Sequence, residues 1–267
     1  MTRWGTMPWL GLMLAALAGC TSTVVRDGKE VKPEVKATPD PEQIKRTAGT
    51  RLELASLYFS RAQYNTALDE IKLAIQADPN NGAAYNLSGL IYAALGNMAQ
   101  ADASFQRALQ INPRDADTMN NYGWVLCQNQ RYKEAEAQFQ QALGQPNYRG
   151  AARTLRVMGI CQARDGRLED AEASLLRSYQ IDPASPETAF TLADVQYRRG
   201  QYERARFYID RVNKSAEASN AQTLWLGSRI EYKLGNLVVA RGLGEQLRKR
   251  YPQSPEALAF EQGRFNE

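Results

Sequence analysis

Between Gly82 and Asp115 the chain sets Tyr85, Gly89, Tyr92, Ala101, Phe105, Ala108 and Pro113 at positions 4, 8, 11, 20, 24, 27 and 32 of a unit of about 34 residues. This spacing describes two antiparallel helices. Small residues at positions 8 and 20 let the helices approach closely, and large ones at 4, 11 and 24 fill the space beside that contact. Gly96 breaks the first helix and Pro113 stops the second. A single hairpin of this kind cannot bury its own apolar face, so copies must stack.

Copies lie on both sides. Upstream, 48–81 carries Leu54, Ala55, Tyr58, Ala67, Ile71, Ala74 and Pro79 on matching positions. Downstream, 116–151 carries Gly123, Ala135, Phe139 and Ala142, with two extra residues around Pro146–Gly150. The unit 152–185 carries Leu155, Gly159, Ala171, Leu175 and Pro183. Two degraded copies follow: 186–220 with Leu192, Ala193, Ala205, Ile209 and Val212, and 221–254 with Leu224, Ser228, Gly235, Ala240, Leu247 and Pro252. The period and its residues match the tetratricopeptide pattern. The expected fold is all-α, a TPR solenoid of six helix-turn-helix repeats wound as a right-handed superhelix, with 255–267 as a C-terminal capping helix.

Composition excludes more than it selects. The 267 residues include no histidine, which removes the commonest general base and metal ligand. No Gly-rich phosphate loop and no nucleophile with a base beside it in a motif is present, so no enzyme, no catalytic residue and no cofactor or metal is expected. The net charge of +4 comes from scattered basic residues without interleaved aromatics, so no nucleic-acid partner is expected.

The amino terminus reads as an export signal. Arg3 precedes an apolar run, Trp9–Ala18, too short to span a bilayer as a mature helix. It ends in Leu17-Ala18-Gly19-Cys20, which resembles a bacterial lipobox. That reading makes 1–19 a cleaved signal peptide and Cys20 the lipidated residue, its covalent lipid the only non-protein group expected. The plainer alternative is an ordinary signal peptide cleaved near Ala18. Several acyl chains anchor firmly, each buried methylene contributing about 0.8 kcal/mol. Thr21 follows the Cys where an Asp resembles an inner-membrane retention signal, so a lipid-anchored position on the outer membrane, facing the periplasm, is expected. Residues 20–47, polar and containing Pro33, Pro39 and Pro41, are expected to form a flexible tether. Asp40-Pro41-Glu42 suits the start of a helix leading into the first repeat.

In stacked repeats the first helices line the concave side, with positions 2, 5, 9 and 12 facing the groove. The candidate partner-binding residues are Leu52, Ser56, Phe59, Asn86, Leu90, Asn120, Trp124, Arg156 and Ile160. Leu52, Phe59, Leu90, Trp124 and Ile160 form an apolar floor suited to helix-in-groove docking. The competing reading has Phe59, Leu90 and Ile160 packing between repeats, or the C-terminal helix covering them. Arg153 and Arg156 share a helical face that could hold an acidic segment; solvation is the commoner fate of such residues. Toward the C-terminus, Phe190, Asp194, Tyr197, Trp225, Arg229 and Tyr232 make the groove more charged and aromatic.

Cys127 and Cys161 lie on adjacent first helices. Export permits a disulfide, and the small neighbours Gly123 and Gly159 could bring the helices close enough. Two buried thiols packed as small hydrophobes fit the same positions.

The segment Asn120-Asn121-Tyr122-Gly123-Trp124-Val125-Leu126-Cys127 is followed by Arg131-Tyr132, Glu134-Ala135, Phe139, Ala142-Leu143, Pro146, Tyr148 and Gly159-Ile160-Cys161. It resembles the type IV pilus biogenesis/stability lipoprotein family called PilF or PilW, from the lipobox to the last repeat. Trp124 stands where that family often has Phe or another large apolar residue. The resemblance implies a pilotin-type outer-membrane lipoprotein that helps the type IV pilus secretin localise or multimerise, and a monomer is expected. A lipoprotein scaffold recruiting periplasmic proteases or peptidoglycan enzymes is the alternative that the groove also allows.

Overall fold

The computed structural model describes residues 24–26, 29–31 and 40–266, which fall into two units divided between Asp40 and Pro41. In the first, β1 (Val24–Arg26) and β2 (Lys29–Val31) pair antiparallel, with Val24 opposite Val31 and Arg26 opposite Lys29. Three valines in six strand residues favour this extended pairing. The expected 20–47 tether is corrected over 24–26 and 29–31, which are paired strands, and over 41–47, because α1 (Pro41–Ser60) starts seven residues ahead of 48; the rest of that stretch, apart from Asp40, lies outside the described residues. Pro41 has the fixed φ suited to a first helical position, and Glu42 complements the amino-terminal dipole.

In the second unit α1 pairs with α2 (Tyr64–Ala77), α3 (Gly82–Ala94) with α4 (Met98–Ile111), and α5 (Ala116–Gln128) with α6 (Tyr132–Leu143). Then α7 (Ala151–Arg164) pairs with α8 (Leu168–Ile181), α9 (Pro186–Arg198) with α10 (Tyr202–Lys214), and α11 (Ala221–Lys233) with α12 (Leu237–Arg250). A short α13 (Pro255–Glu261) packs on α11 and α12. These six hairpins and their cap form the tetratricopeptide solenoid.

The interlock that the spacing implied is physical. Position 20 is Ala67, Ala101, Ala135, Ala171, Ala205 and Ala240, all buried. Ile71, Phe105, Phe139, Leu175 and Ile209 at position 24 are fully buried too. A Cβ on Gly89 would come within 2.7 Å of the Phe105 ring, so the ring fits only because that position is glycine. Repeat six departs from the pattern: its position 24 is Gly244, and the Phe260 ring of α13 fills the space beside it. The capping helix thus supplies from outside the aromatic bulk that the last repeat lacks. Gly96 holds φ +77, which a side chain would oppose, and turns α3 into α4.

First helices are capped by short polar side chains at Asn81, Asp115, Ser185 and Asn220, each accepting from backbone N–H groups of the first turn. Curvature follows from helix contacts. Among the described residues, the backbones of successive first helices, α1 to α3, α3 to α5, α5 to α7, α7 to α9 and α9 to α11, come close together, whereas those of successive second helices stay farther apart and meet only through side chains such as Tyr179 and Tyr208. The side with the closer spacing is the concave one, so the first helices line the groove.

Ion pairs tie repeats three, four and five to their predecessors. Arg131 reaches Asp102 at 2.6 Å and Arg167 reaches Glu136 at 2.8 Å. Arg199 pairs with Glu169 and with Glu172, a buried carboxylate that also meets Arg204 at 2.8 Å and accepts from Gln196 at 3.0 Å.

Candidate partner-binding groove

Leu52 and Phe59 on α1 lie half-buried against the core of the first hairpin pair. Leu90 on α3 and Trp124 on α5 lie half-buried against the next core cluster, and Ile160 on α7 is likewise half-buried. Each side chain packs one flank on its own repeats and leaves the other to solvent. Packing between repeats is thus partial at these positions, and an apolar flank of each remains on the groove side. Ser56 is exposed between Leu52 and Phe59. Phe59 is braced by the Tyr64 ring at 5.7 Å, and the Arg164 guanidinium sits 5.0 Å from the centre of the Trp124 ring.

Polar groove positions divide. Asn86 is half-exposed and accepts from Asn121 at 3.3 Å across the repeat boundary. Asn120, expected in the groove, is buried instead and must be corrected. Its Oδ1 accepts from the Thr154 hydroxyl at 2.8 Å, and that hydroxyl lies 2.9 Å from the Tyr148 hydroxyl. A buried amide needs partners, and the insertion carrying Tyr148 helps to build this polar link between repeats. Arg153 is held by Asp117 at 2.5 Å, which takes it out of an arginine pair for acidic segments. Arg156 remains half-exposed, and its charge helps to hold the Glu187 carboxyl below the usual range. The larger causes there are Glu187's own backbone N–H and the Ser185 hydroxyl, which donates at 2.8 Å.

Cys127 and Cys161 are joined in a disulfide, their Cα atoms 5.8 Å apart. The glycine explanation is corrected. A Cβ on Gly123 would strike the Phe139 ring and one on Gly159 would strike Leu175, so these glycines admit the second helix of their own hairpins.

At the C-terminal end the groove is occupied. After α13, Gly263 at φ +67 reverses the chain and carries Phe265 onto α11. The Phe265 ring stacks on Tyr232 at 4.4 Å and 12°, with Trp225 at 5.2 Å and Phe260 at 6.1 Å. Its carbonyl accepts from the Tyr197 hydroxyl at 3.3 Å and Arg229 Nε at 3.4 Å. Lys233 donates to Asn266 at 2.7 Å. Sequence reasoning placed Tyr197, Trp225, Arg229 and Tyr232 in the groove but missed the segment that covers them. The apolar strip of repeats one to four is separate from this occupied end.

Cys20, the 1–19 signal and the lipobox lie outside the described residues. Among those described, no helix is long and apolar enough to cross a membrane, and no cluster of metal-ligating side chains occurs.

Curved helical hairpins with a half-solvated apolar strip on the inner helices define a tetratricopeptide-repeat protein, a class that presents a groove to other chains. The tetratricopeptide repeat family matches at 80–145, 121–186 and 162–226. A crystal structure of PilW, described as a widely conserved type IV pilus biogenesis factor, superposes with a TM-score of 0.73 and 33% identity. That superposition covers 80% of this chain and 97% of PilW. The type IV pilus assembly protein PilF of Pseudomonas aeruginosa is 26% identical over 210 residues, 79% of this chain and 83% of PilF. A solved structure of the same organism's PilF shares the fold, with a TM-score of 0.71 and 24% identity over 82% of this chain and 99% of that one. The chain belongs to the PilF/PilW family of tetratricopeptide-repeat type IV pilus biogenesis factors.

Proposed function

We propose that this chain is a non-enzymatic assembly and localisation factor for the type IV pilus secretin, of the pilotin type. The observation that carries the reading is the strip Leu52, Phe59, Leu90, Trp124 and Ile160 on the inner helices of a PilF/PilW-family solenoid. An apolar or amphipathic secretin segment lays its greasy face along this strip, burying the solvated flank of each side chain. Cys20, acylated after removal of 1–19, anchors the protein to the outer membrane facing the periplasm. Anchoring raises the effective concentration of groove and secretin subunits for one another, and so favours capture before multimerisation. The protein acts as a monomer and needs no cofactor beyond its lipid.

Deleting the gene and scoring heat-resistant secretin multimers and twitching motility tests the reading. Loss of both is expected, and normal levels of both would sink it. Pull-down from native membranes then separates secretin capture from recruitment of a protease or peptidoglycan enzyme.

A further inference from the structure

The tail contact on repeats five and six has the anatomy of a peptide-binding site holding its own chain. Four of the side chains around Phe265 stand at groove-lining positions: Tyr197 on α9, and Trp225, Arg229 and Tyr232 on α11. They supply what a short peptide needs: ring faces for one aromatic side chain, and two donors for the carbonyl of the same residue. Arg229 is itself steadied over the Tyr197 ring at 4.5 Å, so donor and aromatic wall are one assembly.

The occupant's hold is slight. Both hydrogen bonds to its carbonyl are long, Tyr232 stays 37% exposed beneath the stacked ring, and the Lys233–Asn266 contact is at the surface. Beside the tail the groove continues as an open cleft of about 320 Å³ lined by Phe190, Asp194, Gln222, Trp225, Arg229 and Glu256. Burial holds the Asp194 carboxyl above its ordinary range despite Arg198 and Arg229. The Asp194 carboxylate, 41% exposed and 4.0 Å from Arg198, and the Glu256 carboxylate both line this cleft, so its open part presents two acidic groups to a cation.

We propose that the concave face of repeats five and six is a second binding site, for a partner segment bearing a phenylalanine next to a basic residue, and that Phe265 is its resident competitor. A tethered occupant acts at an effective concentration of roughly millimolar order, so the outside segment meets only the fraction of sites that the tail has left. This site is separate from the apolar strip of repeats one to four and stands or falls independently of it.

The test is fluorescence polarisation with a fluorescein-labelled hexapeptide of the sequence of residues 261–266, EQGRFN, on the full chain in detergent. The Phe265→Ala chain is expected to bind the peptide at least ten-fold more tightly than the native chain. Replacing Phe by Ala in the peptide, or adding Trp225→Ala to the variant, is expected to abolish that gain. A Phe265→Ala chain that binds no better than native, or that takes both peptides equally, overturns the proposal. A chain ended after Gly263 provides the same readout with the whole occupant removed. Leu90→Glu, on the other strip, is expected to leave peptide binding unchanged.

Discussion

Cys127 and Cys161, 34 residues apart and one repeat apart, hold their Cα atoms 5.8 Å from each other in a disulfide between α5 and α7. This covalent link fastens two of the helices that carry the apolar strip, with Cys127 three residues after Trp124 and Cys161 next to Ile160 in the chain. Closing a loop of this length removes unfolded-state entropy worth about 3–4 kcal/mol on the chain-entropy model. Reduction, or Cys127→Ser with Cys161→Ser, should lower the urea midpoint accordingly while leaving far-ultraviolet circular dichroism native. Because solenoid stability is a sum of repeat and nearest-neighbour terms, the loss should concentrate in repeats three and four, visible as faster amide exchange there.

Gly244→Val tests the capping helix. The Phe260 ring occupies the space that a side chain at 244 would need, so the variant must push α13 outward. Overpacking of this kind costs about 1–3 kcal/mol. Proteolysis should then remove the segment after Arg250 faster than in the native chain, with the preceding repeats left intact.

Glu172→Ala should cost about 1–3 kcal/mol by thermal or urea unfolding. The carboxylate is 3% exposed and gathers Arg199, Arg204 and Gln196 from the following repeat, and truncation strands the Gln196 amide and the Arg199 guanidinium. Glu172→Gln, which keeps one acceptor, should lose less.

Acid should remove a stabilising contribution from Glu187. Its folded-state carboxyl is held below the ordinary value of 4.5 by its own backbone N–H, the Ser185 hydroxyl and Arg156. The charged form is therefore favoured by folding; the contribution is present above 4.5 and disappears as pH falls through the lower folded value. Glu187→Gln should flatten the pH dependence of stability in that acid window and leave it unchanged near neutrality. A native-like acid slope in the variant would contradict the assignment.

The hairpins were legible because helix–helix contact demands small residues opposite large ones, and Gly89 against Phe105 writes that demand at fixed spacing. The apolar strip was legible for the same reason, since its positions follow from helix phase. Asn120 was not, because its burial depends on Thr154 and on Tyr148, which arrives from an irregular insertion outside the repeat period. The pairing of Cys127 with Cys161 stayed open because helix-to-helix distance in a stack is a tertiary quantity. Phe265 was missed because nothing periodic governs a chain after its last helix. The one local signal was Gly263 two residues before an aromatic, at the end of a groove already rich in aromatic rings.

Capture of the secretin by the inner strip of repeats one to four is the central proposal, and co-purification from solubilised membranes measures it most directly. Secretin recovered with the native chain should fall at least ten-fold with Leu52→Glu and with Leu90→Glu, while circular dichroism shows both variants still helical, a change equivalent to about 1.4 kcal/mol or more. Equal secretin recovery by the native chain and both folded variants would contradict it.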